Sequence, residues 1–162
     1  MKGSKGQAEI IAVTLLLAAI PLAIYFAAFY VPKPTSFVQT PTAEWKTIEI
    51  RPGLDYNTTW QIAVDTVSKE YDIEVMEKAS GYFRTGWLYT YVYRGKAIDR
   101  YRSQITVKIL WDKRVCQVKC EAQWLKLGGA FATSTGWITG YDKALLEKVY
   151  TDLQGRLGRV VR

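Results

Sequence analysis

The chain has 162 residues and a formal net charge of +7, from 22 Lys and Arg against 15 Asp and Glu. The two signs are interleaved and no basic block or nucleic-acid-binding motif occurs, so the charges favour a solvated surface and argue against nucleic-acid binding. The sequence contains no histidine, which removes the commonest metal ligand and the usual general base.

An uncharged stretch of 22 residues, 10–31, dominates the N-terminal part. As a helix it would be about 33 Å long, enough for a hydrocarbon core of about 30 Å, so it predicts a single-pass transmembrane helix. Lys2 and Lys5 precede it, and its bulky aromatic end lacks a cleavage site. These features predict an uncleaved signal anchor with residues 1–9 in the cytoplasm. We therefore expect a cytoplasmic (inner) membrane protein with its C-terminal domain on the periplasmic or extracellular side.

Residues 32–56 are predicted to be a Pro-rich spacer and lead-in. Pro32, Pro34 and Pro41 cannot continue the helix and favour an extended chain. Residues 57–162 then form one extracytoplasmic domain, because about 130 residues beyond the anchor suffice for one domain and not for two.

Two amphipathic helices are predicted in this domain. The first runs over residues 57–71, with Asn57 or Thr58 as its cap, and carries an apolar stripe at helical spacing. The second starts near Asp142 and runs to about residue 157 with the same spacing of apolar positions. The stripes consist of Trp60, Ala63, Val64, Val67 and Tyr71 in the first helix and of Leu146, Val149, Leu153 and Leu157 in the second.

Between the helices the apolar period changes to two, which is typical of strands. Strands are predicted over 73–79, 82–93, 101–110 and 115–126, joined by short turns. The predicted fold class is therefore α+β: a single N-terminal transmembrane helix followed by a two-layer domain of helix, four-strand antiparallel meander and helix. Residues 127–140 interrupt the pattern, with four glycines and no charge.

The run from Trp60 to Trp87, with its "YDIE" and "SGYFRTGW" segments, carries a family resemblance. Together with the element order, residues 57–158 resemble the helix-grip domains of small envelope lipoproteins, such as the C component of the outer-membrane barrel-assembly machine. In those domains a helix feeds a strand, an S-G turn and a T-x-W strand. The resemblance implies a non-enzymatic subunit or scaffold, although the lipobox cysteine of such proteins is absent here.

The head of the chain, KGQAEIIAVTLL, resembles the class III signal of archaeal pilin-like proteins. Pro32 and Pro34 argue against that alternative, because pilins continue this helix as their assembly spine.

The residues give no pattern of catalytic chemistry. Candidate acids alternate into solvated positions, and the glycine-containing segments lack the spacing of a phosphate-binding loop. Cys116 and Cys120 would lie on one face of a strand, roughly 13 Å apart, which is too far for a disulfide. We therefore predict no catalytic residues, no metal and no cofactor, and two free cysteines in the core.

The expected function is that of a non-catalytic, membrane-anchored accessory subunit of a larger complex, in an energy-transducing or envelope assembly. Its expected partners are integral membrane proteins and the lipid bilayer, and not nucleic acid. The alternatives are a pilin-like surface or filament protein and an anchored envelope enzyme. The predicted partner-binding positions are small residues of the anchor and large residues of 127–140: Ala18, Ala19, Ala23, Ala27, Ala28, Phe131, Trp137 and Ile138. The aromatic residues of 82–93 are a further place where a protein partner is expected to bind.

Overall fold

A computed structural model of the chain describes residues 31–126 and 136–159. Within these ranges the longer helix has 15 residues, about 22 Å, and no helix is long and apolar enough to cross a membrane. This finding corrects the predicted fold class with its N-terminal transmembrane helix, the single-pass signal anchor and the inner-membrane location. Residues 10–30, where that helix is predicted, lie outside the described residues.

The described residues form a mostly-sheet domain with two helices. Seven strands build one antiparallel sheet: β1 (Phe37–Gln39), β2 (Trp45–Glu49), β3 (Ile73–Glu77), β4 (Tyr82–Thr85), β7 (Tyr101–Leu110), β8 (Val115–Lys126) and β9 (Gly136–Asp142). Two shorter strands, β5 (Val92–Tyr93) and β6 (Lys96–Ala97), pair as a separate hairpin. The helices are α1 (Tyr56–Val67) and α2 (Lys143–Leu157).

The strand order is β1-β9-β8-β7-β4-β3, and β2 also pairs with β8. β8 is long enough to serve two partners along one edge. Its first half, Val115–Lys119, pairs with β2, and its second half, Glu121–Lys126, pairs with β9. The predicted four-strand meander is therefore too small, because the lead-in and the glycine-containing stretch also contribute strands.

Side chains of β8 alternate between buried and partly exposed along the whole strand, as the period of two predicts. One side of the sheet packs against α1 and α2, and Cys116 and Cys120 both lie there, buried and free, which confirms the prediction for them. The core joins the apolar stripes of the helices to this side of the sheet: Trp60, Ala63, Val67, Leu146, Leu153, Leu157, Phe83, Ile105, Val107 and Val118.

Both helices begin at aspartate caps. The side chain of Asp55 accepts a hydrogen bond of 2.9 Å from the backbone N–H of Thr58, and Asp142 accepts one of 3.1 Å from Leu145. The cap of α1 is therefore Asp55, and not the predicted Asn57 or Thr58. α1 also ends at Val67, short of the predicted residue 71, because the chain turns there to enter β3.

Two predicted segments are corrected by the strand pairing. The predicted strand 82–93 stops at Thr85. The hydroxyl of Thr85 accepts a hydrogen bond from the backbone N–H of Ile105, which interrupts the backbone hydrogen bonds between β4 and β7. The chain rejoins β7 only at one bridge, Leu88 to Ser103. In the predicted irregular stretch 127–140, residues from Gly136 onward belong to β9.

Candidate functional site

One side of the sheet has no helix against it within the described residues, and we call it the open face. Both helices pack on the opposite side, so the alternating side chains of the strands point away from them here. Most of these side chains are partly exposed, but Gln104 and Thr106 are buried among their neighbours. On the three longest strands the open face consists of Arg102, Gln104, Thr106 and Lys108 of β7, Gln117, Lys119, Glu121, Gln123 and Leu125 of β8, and Trp137, Thr139 and Tyr141 of β9.

At one end of the open face two tryptophans enclose an arginine. The guanidinium carbon of Arg102 lies 4.8 Å from the ring centroid of Trp87 and 4.2 Å from that of Trp137. Nε and Nη2 of Arg102 also donate hydrogen bonds of 3.0 Å and 2.8 Å to Oε1 of Gln123, its cross-strand partner. We call these four residues the Arg102 clamp. Cation–π contacts of this kind contribute roughly 0.5–1 kcal/mol each at exposed sites, so the two contacts favour this arrangement of the rings and the charge.

Three strands and one connecting segment supply the clamp. β7 places Arg102 on the open face, β8 places Gln123 opposite it, and β9 adds Trp137 one strand further. Trp87 comes from the segment after β4, where the single bridge between Leu88 and Ser103 holds the chain against β7. The side chain of Trp87 remains 37% exposed, so its ring is available to a partner.

A second aromatic–cation pair lies further along the same face. Nζ of Lys119 is 5.1 Å from the ring centroid of Trp45, and Trp45 is 39% exposed. Lys119 also forms an ion pair with Glu121 at 3.0 Å. Val38 of β1 is also exposed and lies opposite Tyr141. The open face thus carries aromatic surface at both ends, with a polar region between them.

The polar centre of the face is largely satisfied internally. The side-chain amide of Gln104 donates a hydrogen bond of 2.7 Å to the carbonyl of Thr85, and Arg84 forms an ion pair with Glu74 at 3.3 Å. Two buried side-chain atoms have no hydrogen-bond partner among the described residues, Nε of Arg84 and Oγ1 of Thr106. The centre therefore separates the two aromatic ends and offers little apolar surface of its own.

A cleft of about 120 Å³ lies on the helical side, between the end of α1 and α2. Its apolar floor includes Ile105 and Val149, and its rim carries Lys148, which pairs with Glu70 at 2.5 Å. The cleft is small and its rim charges are partly paired, so it is a weaker candidate than the open face.

No group of three or more possible metal ligands occurs in the described ranges. Burial raises the pKa of the Cys116 thiol to about 12, and burial and the charge of Asp142 raise that of Cys120 as well. Both thiols therefore stay protonated at neutral pH. The thiolate, and not the thiol, is the effective nucleophile.

The structure separates the predicted partner-binding residues. Trp137 lies on the open face, but Ile138, its neighbour in β9, points to the helical side opposite Trp124. The remaining predicted positions lie outside the described residues: Ala18, Ala19, Ala23, Ala27, Ala28 and Phe131.

The aromatics of the predicted strand 82–93 also separate, instead of sharing one face. Phe83 is buried in the core, Trp87 reaches the open face, and Tyr91 stacks near Tyr93 and contacts Tyr101 on the helical side.

Sequence reasoning missed Arg102 and Gln123 as members of a site. Both occupy outward positions of strands that are predicted correctly, so their side of the sheet is readable from the sequence. Their pairing depends on the register between β7 and β8, and the position of Trp137 depends on β9. The signal that could have found the clamp is an arginine on the outward side of a strand that neighbours two tryptophan-containing segments.

No family model matches the chain, and no curated protein matches it either. Its function is accordingly inferred from the geometry of the open face.

Proposed function

We propose that the chain is a non-catalytic accessory subunit whose folded domain binds a partner protein on the open face. The observation that carries this proposal is the Arg102 clamp, where Trp87 and Trp137 both contact one guanidinium on a sheet face that no helix of the described ranges covers. The membrane attachment expected from the sequence is not part of the proposal.

The composition of the clamp supports a protein partner. Tryptophan and arginine are the residues most enriched at the energetic centres of protein interfaces. Large rigid rings contribute much contact area and lose little side-chain entropy on binding, because their contacts with Arg102 already fix them. The polar residues around the clamp, such as Gln123 and Thr139, provide the hydrogen-bonding rim that such interfaces have.

A binding role also agrees with the buried thiols. Cys116 and Cys120 lie on the helical side and are held as neutral thiols, so neither is placed to act on a ligand of the open face. We therefore propose that the domain acts by binding a partner.

The proposal is tested by site-specific photo-crosslinking of the full-length chain in cells of its own organism. A benzoyl-phenylalanine replaces Thr139, which is exposed on the open face, or, as a control, Asp152, which is exposed on α2. We expect a discrete protein adduct at position 139 and none of the same mass at position 152, because only the first position borders the clamp.

Variants then separate binding from folding. Trp87→Ala combined with Trp137→Ala should abolish the adduct at position 139. Met76→Ala removes an exposed apolar side chain of β3, opposite Phe83, and should leave the adduct unchanged. An adduct that survives the double tryptophan variant, or equal adducts at positions 139 and 152, would show that the open face is not the binding surface.

A further inference from the structure

The guanidinium of Arg102 has hydrogen-bonding capacity that no described residue uses. An arginine carries five N–H donors, and Gln123 takes one from Nε and one from Nη2. Nη1 has no acceptor among the described residues. It is also not among their buried unpaired atoms, so solvent reaches it. The edge formed by Nη1 and the second N–H of Nη2 is therefore a fork without an acceptor among the described residues.

The same guanidinium has no counter-ion among the residues that the structure describes. Within the described residues the arginines and lysines of the open face fall into two classes. Arg84 and Lys119 pair with Glu74 and Glu121, whereas Arg102 and Lys108 have no carboxylate within ion-pair distance. An unpaired, pre-oriented cation between two apolar rings is complementary to an anion that sits beside an apolar group.

We propose that the Arg102 clamp recognises an aspartate or glutamate side chain of the partner protein, presented next to an apolar side chain. The carboxylate accepts two parallel hydrogen bonds from this fork of Arg102, and the apolar neighbour packs on the exposed parts of Trp87 and Trp137. This inference rests on the proposed function, because it names the chemistry that the same face binds.

A carboxylate fits the site better than a phosphate does. Phosphate recognition uses clusters of arginines or lysines, and single-stranded nucleic acid needs a continuous basic track along the aromatic platform. Here the neighbours of Arg102 on β7 and β8 that share the open face include no second cation; they are Gln104, Gln123, Leu125 and Glu121, and Glu121 is paired with Lys119. Within β7 the other cation without an ion pair among the described residues is Lys108, six positions along the strand and roughly 20 Å away at ~3.3 Å per residue.

The probe for this proposal is a set of blocked short peptides titrated into the ¹⁵N-labelled full-length chain. The peptide Ac-Gly-Leu-Glu-Leu-Gly-NH₂ is compared with its Gln counterpart, with its phosphoserine counterpart and with a single-stranded dT oligomer of ten nucleotides. The readout is the indole N–H resonances of Trp87 and Trp137. We expect the Glu peptide to shift both resonances saturably, with a dissociation constant lower than that of the Gln peptide by about tenfold or more.

Variants of Arg102 test whether the guanidinium makes the difference. Arg102→Gln should remove the preference for Glu over Gln, and Arg102→Lys should retain only part of it, because an ammonium cannot form the fork. The dispersion of the remaining indole resonances reports whether each variant is folded, and Lys108→Gln serves as the matched loss of an unpaired cation and should leave the preference unchanged.

Each other outcome overturns the proposal. Equal affinity for the Glu and Gln peptides, or no saturable shift with the Glu peptide, would show that the clamp does not read a carboxylate. Tighter binding of the phosphoserine peptide or of the oligonucleotide would make it a phosphate site. These results leave the photo-crosslinking of the open face unaffected, so failure of this inference is distinguishable from failure of the proposed function.

Discussion

Tyr101 donates a hydrogen bond of 2.7 Å from its hydroxyl to Oδ2 of Asp142. Both residues are buried on the helical side of the sheet, and the second carboxylate oxygen of Asp142 caps α2 through the N–H of Leu145. One aspartate thus satisfies a buried hydroxyl of β7 and an otherwise unpaired backbone donor of α2. This contact connects the middle of the sheet to the start of the C-terminal helix, on the side opposite the Arg102 clamp.

Replacing Asp142 should therefore cost more than replacing an ordinary helix cap. Asp142→Ala removes the cap, typically about 0.5–2 kcal/mol, and leaves the buried Tyr101 hydroxyl unsatisfied, about 1–3 kcal/mol more. Asp55→Ala, the matched control, removes only the cap of α1 with its local Thr58 contacts. Urea unfolding of the full-length variants measures both changes.

Tyr101→Phe provides the second half of this test. Combined with Asp142→Ala, it should restore part of the lost free energy of unfolding, because no buried hydroxyl then remains unpaired. Equal losses for Asp142→Ala and Asp55→Ala, with no coupling to Tyr101, would contradict the shared role of Asp142.

The pairing of β1 with β9 depends on the absence of a side chain at Gly140. A Cβ there would collide with the backbone carbonyl of Val38 and would lie 2.8 Å from a ring carbon of Phe37. Gly140→Ala should therefore lower the free energy of unfolding by about 1–3 kcal/mol. Gly136→Ala, in the same strand, meets nothing within 4 Å and should change it by less than about 0.5 kcal/mol. Similar melting temperatures for the two variants would argue against the pairing of β1 with β9.

The central strands and both helices could be predicted from the sequence because their signals are local. β7 and β8 alternate over ten and twelve residues, long enough for the period to stand out, and both end where they are predicted to end. The apolar stripes of α1 and α2 are regular and face the core. The inward placement of Cys116 and Cys120 follows from the same alternation.

Strands β1 and β9 could not be predicted because they take their structure from their partners. β1 has three residues, too few for any period, and β9 mixes glycine with large aromatics. Their conformation is stabilised by hydrogen bonds to β8 and to each other, which are non-local. The strand predicted over 82–93 fails for a related reason, since its aromatic alternation continues after the ladder to β7 is interrupted at Thr85.

The candidate site could be predicted only in part. Trp137 and the aromatics of 82–93 are recognisable as interface residues by type, and the structure brings Trp137 and Trp87 of these sets together. That they meet over Arg102 depends on three strand registers, which the sequence does not specify. The alanines of residues 10–31 and Phe131 remain untested as partner-binding positions, because they lie outside the described residues.

Strand β2 offers a direct test of which side of the sheet is core. Ile48 is fully buried opposite Cys116, whereas Trp45 is exposed opposite Lys119. Ile48→Ala should lower the free energy of unfolding by about 2–5 kcal/mol, and Trp45→Ala, despite the larger side chain, by about 1 kcal/mol or less. Thermal unfolding of the two full-length variants measures the difference, and a larger loss for Trp45→Ala would mean that the open face is packed against something.

The buried acids of the helical side predict a loss of stability in alkali. Burial raises the pKa of Cys116 from 9.0 to about 12, and it raises the pKa values of Tyr71 and Tyr101 above their ordinary value of 10.0. In each case the unfolded chain loses its proton at a lower pH than the folded chain does. The stabilisation is therefore complete below pH 9 and falls as the pH rises from the unfolded pKa through the folded one.

The melting temperature of the full-length chain should thus be level up to about pH 9 and should then fall steadily towards pH 12. Replacing Cys116 and Cys120 together with alanine removes the thiol part of this dependence. The double variant should have a lower melting temperature at neutral pH, because two small cavities replace the sulfur atoms. Its melting temperature should begin to fall nearer pH 10, because only Tyr71 and Tyr101 then contribute to the pH dependence. A decline that begins at the same pH in both proteins would show that the thiols are not desolvated, and a melting temperature that rises above pH 9 would contradict the burial of all four groups.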